Sequence, residues 1–194
     1  RHYTAASFDF SLPAWRNFNR KAADAIRERA EPRDFVCVIG GLAHKQIADS
    51  LPHLRTVEFG IGYGGTFAPF RVFESYAWMH CVYGAQSGGN PNAAKAHWFD
   101  AVIPGYFEVE RFPFSKEKDD YYFFIGRLNE DKGFRLAADV CRQLGKRLVI
   151  AGQGTPPDYG EYVGVIGPQQ RGELMSRATA CFAPSYYIEP FGNV

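Results

Sequence analysis

Short apolar runs that end on glycine recur along this chain, and what lies between them sets the fold. "FVCVIGG" (35–41), "YYFFIG" (121–126), "RLVIAGQG" (147–154) and "YVGVIG" (162–167) are each of strand length around a continuous apolar run. A strand that reads apolar at every position is covered on both faces, which is the pattern of a parallel sheet rather than of a hairpin with one wet side. Amphipathic segments alternate with these runs. In "LPAWRNFNRKAADAIRERAEPRD" (12–34), Trp15, Phe18, Ala22 and Ile26 recur at helical steps, and the helix is expected to stop near Pro32. Strand, helix and strand in quick succession predict α/β layering.

The first half continues with a short helix in "LAHKQIADSLP" (42–52) and a strand in "LRTVEFGIG" (54–62). A helix is expected over 70–86, with Phe73, Ala77 and Cys81 on one face, and a last helix and strand in 94–107. The charged "SKEKDD" (115–120) reads as a hinge, and the domain boundary is placed just before it, giving segments 1–112 and 113–194. Beyond it, helices are predicted over 131–145, closed by Gly145, and 168–178, and a strand in "TACFAPS" (179–185).

Composition narrows the function classes. At a formal net charge of +1 over 194 residues, the chain has no basic footprint for nucleic acid and no polybasic stripe for a membrane surface. No apolar run approaches the roughly 18 residues of a membrane span, and "RHYTAASFDF" holds no signal-peptide core. The four cysteines form no C-x-x-C and read as small buried hydrophobes in a reducing compartment, so a cytoplasmic protein is expected.

"GIGYGG" (60–65) matches the dinucleotide fingerprint G-x-G-x-x-G after a strand, but Pro69 interrupts the helix that should follow. No acidic residue lies between Glu74 and Asp100 to hold a ribose, so the stretch is read as a glycine loop at a strand end. Arg127, just past a strand, and Lys132, at the start of the next helix, could clamp a diphosphate beside helix N–H groups. Two solvated surface cations are the alternative. Glu189 follows a strand in a loop with Tyr186 and Tyr187, and could accept sugar hydroxyls or simply mark a helix start. His44 sits beyond a strand end, a crevice position, whereas His80 and His97 fall on presumed helices. No His or acidic spacing suits a metal.

In order, "VIPGYFEVERF", "FFIGRLNEDKGF", "RLVIAGQG", "YVGVIGPQQRGELMSRA" and "APSYYIEPFGNV" resemble the retaining nucleotide-sugar glycosyltransferases of family 4, with the GT-B fold. The resemblance covers residues 102–194 and is looser before that. It implies two Rossmann-like pieces, each a mostly parallel sheet flanked by helices, with a donor-binding second domain, an acceptor-side first domain and a cleft between them. Arg127 and Lys132 would neutralise the donor diphosphate, Gly126 would let the backbone pass close by, and Ile166 would offer backbone hydrogen bonds to the base. Glu189 would contact the donor sugar, and Phe191, Gly192 and Asn193 would lead into a phosphate-facing helix. His44 or Glu58 would line the acceptor side.

The implied chemistry is metal-independent sugar transfer with retention, from a nucleotide-sugar donor to a glycan or lipid-linked acceptor. A nucleotide-sugar epimerase or phosphorylase on the same fold, or a non-enzymatic sugar-binding module, are the alternatives. Against the family pattern the chain is expected to be a fragment, partial in both domains and weak or inactive. The family's second glutamate would fall past Val194, and the first domain's early glycine-rich loop has no counterpart. Apolar faces of the last strand would be left bare, inviting self-association.

Overall fold

A computed structural model describes residues 9–93 and 95–192. Two units emerge, 1–105 and 106–194, and each carries its own four-stranded, all-parallel sheet. The α/β class expected from the alternation is the one observed. The division falls after Gly105 rather than after residue 112, because the segment 107–113 packs on the second unit. Phe107 stacks on Phe191 at 5.3 Å, the Arg171 guanidinium lies 4.6 Å over Phe112, and a Cβ on Gly172 would meet the Arg111 carbonyl at 2.7 Å.

In the first unit the order is α1 (Pro13–Arg27), β1 (Phe35–Val38), a 3₁₀ turn (Gly41–His44), α2 (Lys45–Asp49), β2 (Arg55–Phe59), β3 (Phe70–Phe73), α3 (Tyr76–Gln86) and β4 (Ala101–Val102). The sheet runs β1-β2-β3-β4. β2 and β3 are parallel neighbours, yet the connection between them is the glycine loop and no helix. Gly60 and Gly65 take positive φ there (66° and 92°), a conformation only glycine adopts cheaply. The loop is pinned from below by Glu58, wholly buried, whose Oε2 accepts the N–H groups of Phe67 (3.0 Å) and Ala68 (3.1 Å). Burial pushes this carboxyl above its ordinary range, against those two hydrogen bonds, which favour the ionised form. Glu58 therefore lines no crevice; it holds the crossover.

Several sequence expectations for this unit are corrected. Residues 70–73 form a strand, not the first turn of a helix. Arg71 and Phe73 alternate into the covered face, and α3 begins only after Ser75, whose hydroxyl caps the Trp78 N–H at 3.1 Å. The helix expected within 94–107 does not form. Its polar groups bond elsewhere: the His97 N–H donates to Asp100 Oδ2 (3.0 Å), and Arg71 reaches the Lys95 carbonyl (2.8 Å). On α1, Asn19 and Ala23 take the buried stripe, while Phe18 stays 56% exposed. Of the cysteines only Cys141 is buried; Cys37 and Cys181 are exposed and Cys81 lies between.

Arg71 and Asp100 form a bidentate ion pair within this unit (2.9 and 2.6 Å), both side chains at most 3% exposed. Tyr83 donates its hydroxyl to Asp100, and Thr66 accepts from both Arg71 (3.2 Å) and Gln86 (2.9 Å). The network joins β3, α3, the glycine loop and the segment before β4.

Helices cover one face of this sheet. Ala23 of α1 and Ile47 of α2 pack with Val36 and Val38, and Trp78 and Val82 of α3 pack with Phe73. The other face carries Phe35, Cys37, Phe59 and Val72, none of them buried.

The second unit contains β5 (Tyr122–Ile125), a 3₁₀ turn (Glu130–Lys132), α4 (Phe134–Gln143), β6 (Leu148–Ala151), β7 (Glu161–Tyr162), α5 (Pro168–Arg177) and β8 (Ala180–Phe182), with sheet order β7-β6-β5-β8. Here the two central strands, β5 and β6, are covered on both faces. Phe124, Leu148 and Ile150 pack under α4 with Phe134, Ala137 and Cys141, while Phe123 and Val149 pack on the α5 side with Leu174 and Met175. The edge strand β8 leaves Ala180 and Cys181 exposed, as expected for the last strand, and the first unit's sheet has a bare face as well. β7 is shorter than its sequence suggests, because Gly164 turns at φ 81° and accepts the Gly152 N–H at 2.8 Å.

Candidate functional site

In open parallel sheets, ligands bind beyond the carboxyl ends of the strands. In the second unit those ends are glycine-built. The Gly126 N–H donates to the Ala151 carbonyl at 3.1 Å, and a Cβ on Gly152 (φ 139°) would fall 1.7 Å from the Gly126 carbonyl oxygen. The loops after β5 and β6 then run side by side, with Leu128 N–H on the Gln153 carbonyl at 2.8 Å. Arg127 is launched from this junction and is exposed. Among the described residues no carboxylate pairs with it.

Lys132 is held differently. It closes the 3₁₀ turn whose cap is Asn129, the Asn129 side chain accepting the Lys132 N–H at 3.2 Å. It does not open α4: Gly133, left-handed at φ 68°, intervenes. A Cβ on Gly133 would meet the Pro184 carbonyl at 2.3 Å, and the Tyr186 N–H donates to the Asp131 carbonyl at 2.9 Å. These contacts bring the loop after β8 against the turn before α4.

The consequence is a cluster. Lys132 Nζ pairs with Glu189 Oε1, the same oxygen accepts the Tyr187 hydroxyl at 2.7 Å, and Lys132 Nζ lies 5.2 Å from the Tyr187 ring centre. The Ser185 hydroxyl donates to Glu189 Oε2 at 3.4 Å. The Lys132 and Glu189 side chains are 15% and 23% exposed, so the pair is shielded from solvent without being sealed from it. Chemically this is a cation and a carboxylate held side by side at the start of a helix, with the ammonium retaining donors for an anionic ligand.

The remaining expected residues fall as follows. Gly192 abuts the cluster, since a Cβ there would sit 3.5 Å from Glu189 Oε2. Phe191 is engaged with Phe107. Ile166 lies beyond the end of β7, its side chain anchored against the core under α5. Asn193 lies outside the described residues. His44 belongs to the first unit, at the end of the 3₁₀ turn after β1. Its Nδ1 is 2.9 Å from Asn19 Oδ1, and a Cβ on Gly40 would strike its ring at 2.0 Å. Sequence reasoning missed Asn19, Asn129 and Ser185. Only Asn19 had a signal, a polar residue one helical turn from Trp15 and from Ala23. A concavity of about 870 Å³ in the first unit, lined by Phe35, Leu51, His53, Arg55 and Phe70, lies at the amino ends of β1 to β3, opposite the ligand-binding end.

The fold that positions these residues is shared with a solved glycosyltransferase. Among solved structures the chain is similar to the crystal structure of AviGT4, a glycosyltransferase involved in avilamycin A biosynthesis, with a TM-score of 0.56 and 23% identity over 86% of this chain and 50% of that one. The chain thus spans half the length of that protein. No family model matches it, and no curated protein matches it. No helix among the described residues is long and apolar enough to cross a membrane.

Proposed function

We propose that the chain belongs to a retaining glycosyltransferase of family 4 and GT-B type, moving a sugar from a nucleotide-diphosphate donor to a glycan or lipid-linked acceptor. One observation carries the reading: Lys132, Glu189 and Tyr187 converge from two separate loops at the start of α4, next in sequence to the Gly126–Arg127 strand end. Arg127 and Lys132 hold the donor diphosphate and stabilise it as it leaves, so the cation work is done by the protein and the donor is a substrate, with no metal required. Glu189 accepts hydroxyls of the donor sugar, Gly192 leaves it room, and the backbone at Ile166 faces the base. The acceptor belongs to the first unit, with His44. The site of action is the cytoplasm, in keeping with four free thiols.

Ligand-observed NMR with UDP, GDP and ADP tests the donor site. One nucleotide is expected to bind, and Arg127→Ala/Lys132→Ala to weaken it by about 100-fold or more, the loss of two charge-assisted hydrogen bonds. Equal binding by wild type and double variant removes the diphosphate clamp from the reading. Because Lys132 is tied to Glu189 in the free chain, Glu189→Gln is expected to tighten nucleoside-diphosphate binding, by about tenfold. Weaker binding by that variant would mean that the carboxylate organises Lys132 rather than competing for it.

A further inference from the structure

The His44 imidazole is held by two aromatic rings, a glycine and a buried amide. Its ring tilts against Phe18 (centroids 5.5 Å apart) and Trp15 (6.0 Å), and its Cδ2–Nε2 edge lies over the bare Cα of Gly40. Asn19, only 3% exposed, faces Nδ1. The orientation of the Asn19 amide follows from its second contact. Its nitrogen lies 2.8 Å from the Ala43 carbonyl, which can only accept, so that atom must be the NH₂ donor. The atom facing His44 is then the amide oxygen, also an acceptor only. The proton in that 2.9 Å contact must come from the ring, from Nδ1.

We propose that Asn19 is a positioning residue: it fixes His44 as the Nδ1–H tautomer and so presents Nε2, unprotonated, to accept a hydrogen bond from a ligand hydroxyl beyond the carboxyl end of β1. Which ring nitrogen is free is set by the bond the other makes. Asn19 orients the ring through a neutral hydrogen bond. The exposed rings beside it suit a sugar, whose C–H face stacks on aromatic carbon while its hydroxyls reach Nε2; Phe18 is 56% exposed and Phe10, edge-on to Trp15 at 5.4 Å, is 44% exposed. The identity of the hydroxyl as a sugar's rests on the proposed function; the tautomer does not.

Long-range ¹H–¹⁵N correlation spectra of the ligand-free, ¹⁵N-labelled chain at neutral pH read the tautomer directly. In wild type, His44 is expected to show a protonated Nδ1 and a bare Nε2. In Asn19→Ala it is expected to change to mainly Nε2–H, while Asn19→Asp, which keeps an acceptor on Nδ1, retains the Nδ1 proton. Gly40→Ala leaves an ordinary backbone (φ −90°) but displaces the ring, and should also lose the Nδ1–H form. A wild-type His44 with its proton on Nε2 overturns the proposal without any variant. So does an Asn19→Ala spectrum that keeps the wild-type tautomer in a chain whose amide spectrum is folded. Methyl α-glucoside is then added as a source of sugar hydroxyls. A shift at Nε2 in wild type and none in Asn19→Ala supports the acceptor role, and no shift in wild type overturns it. Because no nucleotide is present, failure of the donor site leaves these readings untouched.

Discussion

Asp100→Ala is expected to destabilise the first unit by about 3–5 kcal/mol, the cost of stranding a buried guanidinium. Arg71 and Asp100 are 3% and 2% exposed, and their bidentate pair is the centre of a network through which Tyr83, Thr66 and Gln86 hold α3 and the glycine loop to β3. Removing the carboxylate therefore leaves Arg71 charged and dry, with Thr66, the Lys95 carbonyl and the Tyr83 ring as remaining contacts. Burial by itself would push the Asp100 carboxyl up. Hydrogen bonds from Tyr83, the His97 N–H and Arg71 outweigh it, and the group ends below its ordinary range. A depressed carboxylate contributes stability that is present above its unfolded value and lost as pH falls through the folded one. The difference between wild type and Asp100→Ala should therefore narrow in acid. Urea unfolding followed by circular dichroism at neutral and acidic pH measures both quantities. A neutral-pH difference under about 1 kcal/mol would place the pair among exposed surface bridges, against its burial.

Gly152→Ala is expected to prevent the second unit from folding. Its Cβ would lie 1.7 Å from the Gly126 carbonyl oxygen and 2.8 Å from the Gly126 carbonyl carbon. Both partners are backbone, so no side chain can swing away, and φ at 139° adds strain of its own. A cost above about 4 kcal/mol follows, in the exceptional range for one substitution. Gly145→Ala is the control. It also has positive φ (61°), but a Cβ there meets nothing within 4 Å, so only the left-handed strain of about 1–2 kcal/mol applies. Two-dimensional amide spectra distinguish the outcomes: for Gly152→Ala the second unit's dispersed resonances should collapse while Gly145→Ala keeps them. A folded Gly152→Ala would mean that the β5 and β6 strand ends can separate, and that Arg127 is not fixed by their contact.

How far the sequence reached can be judged from particular residues. Apolar runs closed by glycine marked β1, β5 and β6; in β5 and β6 the cause is cover on both faces, whereas β1 is apolar throughout yet buries only Val36 and Val38. They failed where side chains or glycines intervened. Phe70–Phe73 carries a spacing that fits helix or strand alike, and only the Arg71–Asp100 pair and the Ser75 cap make it a strand. The 94–107 stretch loses its helix to a local bond from the His97 N–H to Asp100 and to bonds from Arg71, far away in the chain, to Asp100 and the Lys95 carbonyl.

Arg127, Lys132 and Glu189 were legible as chemistry-bearing residues past strand ends, since that position follows from the βαβ pattern alone. That Lys132 and Glu189 touch was not legible. Their meeting depends on Gly133 letting the Pro184 carbonyl approach within van der Waals reach and on Tyr186 bonding Asp131, contacts with no trace in local spacing. Asn19 is the sharper case. In sequence it is a polar residue on an amphipathic helix, and only packing against the turn after β1 turns it into the group that sets a histidine's proton. Periodicity thus determined the class of fold and the ends of strands at which function could sit, because burial imposes those patterns locally. Tertiary structure alone decided which polar groups face one another there, because a hydrogen bond is set by the positions of both partners.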